Sequence, residues 1–314
     1  MQYRLFDRVI HSEIPLPDLP ASRGAEAPRV LVRARRLEHM PAPRPGHHHV
    51  WKTDGGDVVM RSVRVDAGYV LEFPSEHVFL TGLEPNGLIA VSAPPGEGPV
   101  FRHLLCDQVL PRVLSLRDAP VLHAAAVAGP AGAIVLAGAS GSGKSTLAAD
   151  FWRHGWQMLG DDAVMIRAQD GRPMALAGPA RVRLAEDARQ RLGLGPGTPT
   201  TAGKQVLDTA DTQRPRPIAA PLRGVVVMHP VSDRQAPVDE PALSPVRGAG
   251  ALHLLMQHIL NVDPADTASL RIHLEVLAAI LAAGIPVLEL VARPGIDALA
   301  RLRSAVVQRL GAAT

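Results

Sequence analysis

One eight-residue stretch, residues 138–145, constrains the fold of this chain more than any other part of the sequence. It runs GASGSGKS and matches the G-x-x-x-x-G-K-S pattern of a phosphate-binding loop (P-loop). The apolar run AIVLA at 133–137 precedes it and is typical of a buried strand. Residues 145–153 can form a helix, which Gly155 is placed to end. Because the motif requires a strand, a glycine loop and a helix in this order, the sequence predicts a P-loop within an α/β domain.

The residues of this loop are expected to bind a nucleoside triphosphate and Mg²⁺. Glycines let backbone N–H groups turn inward onto phosphate oxygens, and the N-terminus of the following helix adds positive potential. Lys144 is expected to reach the β- and γ-phosphates, and the Ser145 hydroxyl is expected to help hold Mg²⁺. The predicted nucleotide-binding residues are Gly138, Ser140, Gly141, Ser142, Gly143, Lys144, Ser145 and Thr146.

Two adjacent carboxylates, Asp161 and Asp162, form the second chemical signal. They follow a short apolar run and precede AVMI at 163–166, at a distance after the loop that suits a neighbouring strand ending at the phosphates. Phosphoryl transfer needs a carboxylate to position Mg²⁺ and another group to orient or deprotonate the acceptor, and two side chains that point in different directions can divide these roles. His123, on the strand before the loop, is either a proton relay beside a carboxylate or a hydrogen-bonded core histidine.

Three further cations are candidates for contacting the substrate. Lysine occurs only at Lys52, Lys144 and Lys204. In a chain so biased toward arginine, a lysine is present either by chance or because its site needs a compact ammonium group. Lys204 follows a Gly/Pro/Thr-rich stretch and is either a substrate or nucleotide contact or a solvated loop residue. Arg181 and Arg183 share one face if their segment is a strand, where they either clamp a phosphate or carboxylate or lie on an exposed edge.

The composition limits the location and the partners of the protein. With 314 residues, 46% of them hydrophobic and 20% charged, the chain is expected to be globular and to form two domains. A net charge of +3 without a long basic block argues against a general nucleic-acid surface. The single cysteine, Cys106, suits a reducing cytoplasm, and charged residues interrupt any apolar start of the signal-peptide type. The longest apolar run, 276–288, is too short to span a bilayer, so we expect a cytoplasmic protein without a membrane segment.

The chain is expected to divide near residue 96, within the segment APPGEG at 93–98. Residues 1–96 are typical of a smaller β-rich domain for substrate recruitment or assembly, and residues 97–314 of the P-loop domain. The three histidines at 47–49 have no cysteine partner, which favours a solvated loop over a metal site. Predicted elements of the second part are a helix over 100–116 that Pro111 kinks or divides, helices over 248–261, 264–283 and 295–310, and strands over 121–127, 133–137, 156–159, 163–166, 222–228 and 287–291.

These residues resemble the HPr serine kinase/phosphorylase family. His123, the hairpin that follows it, residues 138–145 and Gly160-Asp161-Asp162 occur in the order and spacing of that family, and the match is close over residues 120–167. The resemblance implies a P-loop kinase domain related to phosphoenolpyruvate carboxykinase, with ATP and Mg²⁺ as cofactors and a protein serine as acceptor. It implies that one aspartate is the base toward the serine hydroxyl, with His123 nearby, and that the other helps to hold the metal. We take Asp161 as the base and Asp162 as the metal-side residue, an assignment that the sequence leaves open.

The chain also departs from that family. HPr kinases usually have Asp at the position of Ala139 and Gly at that of Ala124, and their N-terminal domain differs from residues 3–17 here. This start resembles HPr-kinase-like enzymes found with lasso-peptide and other ribosomal-peptide systems, some of which phosphorylate the C-terminal serine of a precursor peptide. The resemblance therefore implies a serine kinase acting on a peptide or small protein. A small-metabolite kinase and a non-catalytic nucleotide-dependent regulatory module remain alternatives. HPr kinases are hexameric, so a homo-oligomer also stays open.

Overall fold

A computed structural model describes most of the chain as two compact units. The first unit comprises Met1–Asp118 and Asn261–Leu270, and the second comprises Ala119–Leu260 and Arg271–Thr314. The predicted division into functional domains at residue 96 stays a prediction. The described residues are 1–22, 30–34, 41–53, 55–66, 68–74, 77–82, 88–92, 98–200, 203–209, 216–229, 242–291 and 298–311.

The first unit is built on a mixed sheet in the order β1-β2-β3-β8-β7-β6-β5-β4. Strand β5 alternates over its first half: Met60 and Ser62 are buried whereas Val59 and Arg61 are exposed, which is the period of a half-covered strand. The strands are β1 (Gln2–Leu5), β2 (Arg8–Ser12), β3 (Val30–Ala34), β4 (Pro43–Lys52), β5 (Val58–Val65), β6 (Gly68–Phe73), β7 (His77–Gly82) and β8 (Leu88–Ser92).

The three histidines at 47–49 lie in strand β4, so their predicted placement in a loop is wrong. The Nε2 atom of His49 lies 2.9 Å from Oδ1 of the buried Asp263, and the Tyr69 hydroxyl donates to Oδ2 of the same carboxylate at 3.2 Å. The partner of His49 is thus a residue more than two hundred positions away, which no local pattern reveals.

The helical stretch predicted over 100–116 changes its hydrogen-bonding pattern before its proline. It consists of α1 (Pro99–His103), a π-helical segment (Leu104–Val109) and α2 (Leu110–Arg117). Pro111 therefore lies in the first turn of α2, where the missing N–H of proline is tolerated. The backbone stays helical across both junctions, so Pro111 does not divide the helix, and the wider π-helical turns precede the proline. The predicted alternative of a kink at Pro111 stays a prediction.

The second unit is built on a mixed sheet whose central strands are parallel. The order is β12-β10-β11-β18-β14-β13-β9, with β20 beside β18 and β19 beside β20; β11, β18 and β20 run parallel, and β15-β17-β16 form a smaller sheet. The strands are β9 (Val121–Leu122), β10 (Ala124–Gly129), β11 (Gly132–Gly138), β12 (Gln157–Gly160), β13 (Val164–Gln169), β14 (Arg172–Leu176), β15 (Arg181–Ala185), β16 (Thr198–Pro199), β17 (Lys204–Asp208), β18 (Ala219–Met228), β19 (Ala242–Val246) and β20 (Val287–Val291). The remaining helices are α3 (Lys144–Arg153), α4 (Glu186–Arg191), α5 (Gly248–Gln257), α6 (Thr267–Ala282) and α7 (Leu299–Arg309).

Successive side chains of β11 enter two separate cores. Ile134 belongs to a core with Phe151 of α3, whereas Val135 belongs to a core with Leu255 of α5 and Leu277 of α6. Because helices cover both faces of the sheet, the strand is apolar at every position instead of alternating. This arrangement confirms the predicted α/β class for the second unit. No helix within the described ranges combines the length and the apolar character needed to cross a membrane.

Candidate functional site

The loop between β11 and α3 has the backbone that a phosphate-binding loop requires. Gly138, Gly141 and Gly143 have φ angles of 149°, 81° and 92°, a region that glycine enters without strain. Helix α3 begins at Lys144, directly after Gly143, so the unpaired N–H groups of its first turn adjoin the loop. The predicted order of strand, loop and helix is confirmed.

Gly138 is fixed by packing as well as by conformation. A Cβ atom at this position would lie 2.2 Å from the carbonyl oxygen of Met228 and 2.9 Å from Oγ of Ser142. Met228 is the register partner of Gly138 in the parallel pair β11–β18. A Cβ atom on Gly141, by contrast, would meet nothing within 4 Å. The first glycine of the motif therefore lets strand β18 approach the loop closely.

The Lys144 side chain is held over the loop by backbone carbonyl groups of the loop itself. Its Nζ atom donates hydrogen bonds to the carbonyl oxygens of Gly138 and Ala139, both at 2.8 Å, and the residue is only 5% exposed. Burial lowers the pKa of Lys144, and the negative charges of Asp162 and Asp161 oppose that change. The lysine thus lies within electrostatic range of both aspartates.

Asp161 is the member of the carboxylate pair that is hydrogen-bonded to the loop. Ser145 Oγ donates a hydrogen bond to Asp161 Oδ1 at 2.8 Å, and the backbone N–H of Arg183 donates to Asp161 Oδ2 at 2.9 Å. Burial, and then the charge of Asp162, raise the pKa of Asp161 to about 7, although these two hydrogen bonds favour its ionised form. A buried carboxylate in this position is stabilised by any further cation that binds beside it.

Asp162 contacts a different set of neighbours. Its φ angle is +70°, which sets it apart from the extended strand before it. One carboxylate oxygen, Oδ2, lies 2.5 Å from Nη1 of Arg183, and the other, Oδ1, lies 4.0 Å from Nε2 of His123. The two aspartates therefore divide their contacts between the loop serine on one side and the Arg183 and His123 side chains on the other.

The predicted substrate cations lie on two paired strands. Arg181 and Arg183 belong to β15 and are 9% and 7% exposed, so the alternative of an exposed edge is wrong. Lys204 begins β17 instead of lying in a loop, because β17 pairs with β15 and sets Lys204 opposite Ala185 and Asp208 opposite Arg181. The charge of Lys204 also acts on the pKa of Lys144, which it lowers. Arg183 and Lys204 are thus brought to the site.

The other predicted loop residues differ in their exposure. Ser140 and Gly141 are exposed, and Thr146 is half-buried in the first turn of α3. Ser142 is 4% exposed, and its hydroxyl has no hydrogen-bond partner among the described residues. The exposed residues leave the outer face of the loop accessible to a ligand.

Sequence reasoning missed His258, which directly follows α5. Its carbonyl oxygen accepts a hydrogen bond from the backbone N–H of His123 at 2.7 Å. Burial, and then the charges of Lys144 and His229, lower the pKa of His258 to about 4, so the imidazole is neutral at neutral pH. Its Nε2 atom is buried and has no hydrogen-bond partner within the described residues. No local signal marks this residue, because its neighbours in sequence are those of an ordinary apolar helix end.

Comparisons with known proteins leave the family unassigned. No family model and no curated protein matches the chain. Among solved structures, the Hpr(Ser) kinase/phosphatase from Coxiella burnetii aligns with 60% of this chain and 95% of its own, at 12% identity and a TM-score of 0.32. A TM-score this low does not establish a common fold.

Proposed function

We propose that this protein is an ATP- and Mg²⁺-dependent kinase that transfers the γ-phosphate to a hydroxyl group, with a serine of a peptide or small protein as the acceptor. The observation that carries the proposal is the hydrogen bond from Ser145 Oγ to Asp161 Oδ1 at 2.8 Å. It joins the hydroxyl of a phosphate-binding loop to a carboxylate pair, and phosphoryl transfer requires that combination of phosphate cradle, metal ligand and acceptor-side carboxylate.

The loop supplies the binding of the triphosphate. Its N–H groups, the start of α3 and the Lys144 ammonium provide positive potential at one point of the sheet edge. Lys144 needs only to exchange the carbonyl oxygens of Gly138 and Ala139, each 2.8 Å from Nζ, for phosphate oxygens. Phosphate oxygens are the stronger acceptors because they are charged.

The donor set fits Mg²⁺. The Ser145 hydroxyl and the Asp161 carboxylate are hard oxygen ligands, and Mg²⁺ in phosphoryl-transfer sites takes one or two carboxylates together with phosphate oxygens and water. Burial and the charge of Asp162 raise the pKa of Asp161 to about 7. A cation bound beside this carboxylate would stabilise its ionised form. Ser145 and Asp161 would hold the ion, with Asp162 adjacent. When bound, Mg²⁺ neutralises negative charge on the phosphates.

The contacts support a division of roles opposite to the one taken from the sequence. Asp161 is bonded to Ser145 and so belongs on the metal side. Asp162, with His123 Nε2 at 4.0 Å from Oδ1, is left to accept the proton of the acceptor. In that step the acceptor oxygen bonds to the γ-phosphorus, the bond from the γ-phosphorus to the bridging oxygen of ADP breaks, and the hydroxyl proton passes to Asp162. His123 is placed to orient that carboxylate.

The identity of the acceptor rests on the sequence resemblance. We retain the C-terminal serine of a lasso-type precursor peptide as the specific proposal, in a cytoplasmic setting. The alternatives are a kinase for a small metabolite and a module that binds nucleotide without transferring phosphate. These three functions differ in where a labelled phosphate goes, so one assay separates them.

The test is phosphate transfer from γ-labelled ATP with Mg²⁺ to peptides that end in serine, an HPr-type protein and small alcohols. Lys144→Ala is the inactive variant, and Lys52→Ala, on the exposed surface of β4, is its matched control. We expect label in a serine peptide with the wild type and with Lys52→Ala, and only background with Lys144→Ala. Label in alcohols alone favours the metabolite kinase, and bound ATP without transfer favours the regulatory module. A folded wild type that binds no nucleotide would refute the proposal.

A further inference from the structure

Arg183 bonds to both aspartates of the pair at once. Its backbone N–H donates to Asp161 Oδ2 at 2.9 Å, and its guanidinium Nη1 lies 2.5 Å from Asp162 Oδ2. The Arg183 side chain is 8% exposed, so this ion pair is largely shielded from solvent. The guanidinium therefore compensates one of two adjacent carboxylates that would otherwise repel each other.

This pairing conflicts with the reaction proposed above. The Arg183 guanidinium occupies Asp162 Oδ2, an oxygen of the carboxylate that the proposed reaction needs to face the acceptor hydroxyl. In the same structure Lys144 donates to carbonyl oxygens of its own loop. Both cations thus have protein partners that the phosphates of a triphosphate, with several negative charges, can outcompete.

We propose that Arg183 is a catalytic residue that exchanges its partner during phosphoryl transfer. It pairs with Asp162 in the arrangement seen here, and in the transition state its guanidinium donates to the oxygens of the transferring γ-phosphoryl group. The exchange breaks the Arg183–Asp162 ion pair, which leaves Asp162 to accept the proton of the acceptor hydroxyl as the new P–O bond forms and ADP leaves. One movement thereby stabilises the phosphoryl charge and turns Asp162 Oδ2 from the guanidinium to the acceptor hydroxyl. This inference rests on the proposed kinase function.

The fold supplies the means for such an exchange. Arg183 is anchored through its backbone N–H to Asp161, and β15 pairs with β17 along its whole length. The backbone of Arg183 is therefore fixed beside the metal-side carboxylate. Its long side chain can change partner by rotation about its own bonds, while the planar fork of the guanidinium suits phosphoryl oxygens.

Arg216 provides a matched control for the loss of an arginine side chain near the aspartate turn. It is half-buried in the same unit and donates to the carbonyl oxygens of Leu159 at 3.3 Å and Gly178 at 2.5 Å. These contacts support the chain around the aspartate turn but involve neither aspartate. Arg216→Gln should therefore reveal the purely structural effect of removing an arginine near this turn.

The experiment measures the affinities for ADP and for ADP with fluoroaluminate, both with Mg²⁺, by calorimetry. Fluoroaluminate mimics the transferring phosphoryl group, so the ratio of the two affinities reports contacts made only in the transition state. We expect Arg183→Gln to weaken binding of the fluoroaluminate complex about 100-fold. The affinity for ADP alone should change less than about threefold. Arg183→Lys should fall between Arg183→Gln and the wild type, and Arg216→Gln should keep the wild-type ratio. Thermal unfolding identifies variants that do not fold. If Arg183→Gln does not fold, the same comparison of the two affinities is made with Arg183→Lys.

The outcomes separate this inference from the proposed function. If Arg183→Gln or Arg183→Lys weakens both ligands equally, or neither, the guanidinium has only a structural role and the partner exchange is wrong, while the kinase proposal stands. If the folded wild type binds neither ligand, both proposals are wrong. The exchange is supported if Arg183→Gln weakens the affinity for ADP with fluoroaluminate relative to the affinity for ADP, and Arg216→Gln does not.

Discussion

Replacing Gly138 by alanine tests how the sheet positions the phosphate-binding loop. At φ 149° a side chain is strained, and the added Cβ would lie 2.2 Å from the carbonyl oxygen of Met228. Because this neighbour is backbone of the paired strand β18, it cannot rotate away as a side chain could. Gly141→Ala is the matched control, since Gly141 also has positive φ, at 81°, but no atom within 4 Å of its Cβ position.

The two variants should differ by the cost of the overlap. A non-glycine residue at positive φ costs about 1–2 kcal/mol, and this strain applies to both. Forcing a methyl group into a packed site costs about 1–3 kcal/mol more, and this applies only to Gly138→Ala. At about 2–4 °C per kcal/mol for a domain of this size, the melting temperature of Gly138→Ala should lie about 2–12 °C below that of Gly141→Ala.

The measurement is thermal unfolding by tryptophan fluorescence in a Trp51→Phe background. Trp152 and Trp156 then report the second unit, because Trp51 lies in strand β4 of the first unit. Nucleotide affinity should fall with Gly138→Ala, since separating β11 from β18 moves the start of the loop. An equal or larger loss of stability in Gly141→Ala would refute the reasoning.

Three further predictions concern stability. The pKa of His258 is about 4 when folded and near 6.5 when unfolded, so only the unfolded chain binds the proton between these values and stability falls as the pH is lowered from 6.5 to 4. His258→Gln should lose less stability over that range, and equal losses in urea titrations would contradict this. Phe151 is fully buried, with its ring 4.8 Å from that of Trp156. Phe151→Ala should lower the free energy of unfolding by about 3–5 kcal/mol, measured by urea unfolding. A loss below about 1 kcal/mol would contradict this. Arg8 Nη2 donates to Asp118 Oδ1 at 2.7 Å, and this ion pair is partly exposed. A double-mutant cycle with Arg8→Met and Asp118→Asn should therefore give a coupling energy of about 0.2–1 kcal/mol, and a value above about 2 kcal/mol would contradict this.

The sequence predicted the parts of the site that are local. Residues 138–145 specify the loop because glycine conformations and the start of a helix depend on neighbours in the chain. The end of α3 was predicted for the same reason: Gly155 has φ 89°, and the N–H of Trp156 bonds to the carbonyl oxygen of Phe151 at 3.2 Å. The apolar run at 133–137 likewise predicted a strand covered on both faces.

The contacts that the sequence could not predict join distant strands. Arg183 meets Asp162 through its guanidinium and meets Asp161 through its backbone N–H, at a separation of about twenty residues in the chain. Lys204 begins β17 directly after a Gly/Pro/Thr-rich stretch that has the composition of a loop, and β17 pairs with β15. His258 reaches His123 through one backbone hydrogen bond across more than a hundred residues. Pairing of this kind depends on the whole sheet, so residue patterns within a short window do not contain it.

In the proposed mechanism the carboxylate pair beside the loop serves phosphoryl transfer, with Asp162 on the acceptor side and Asp161 on the metal side. The most direct test is transfer of labelled γ-phosphate to a peptide ending in serine by Asp162→Asn and by Asp161→Asn, with ATP binding measured on the same samples. We expect Asp162→Asn to bind ATP while its transfer rate falls at least about 100-fold. We expect Asp161→Asn to transfer phosphate more slowly as well, and to need a higher Mg²⁺ concentration than the wild type for half of its maximal rate. Near-normal transfer by both variants would contradict the account.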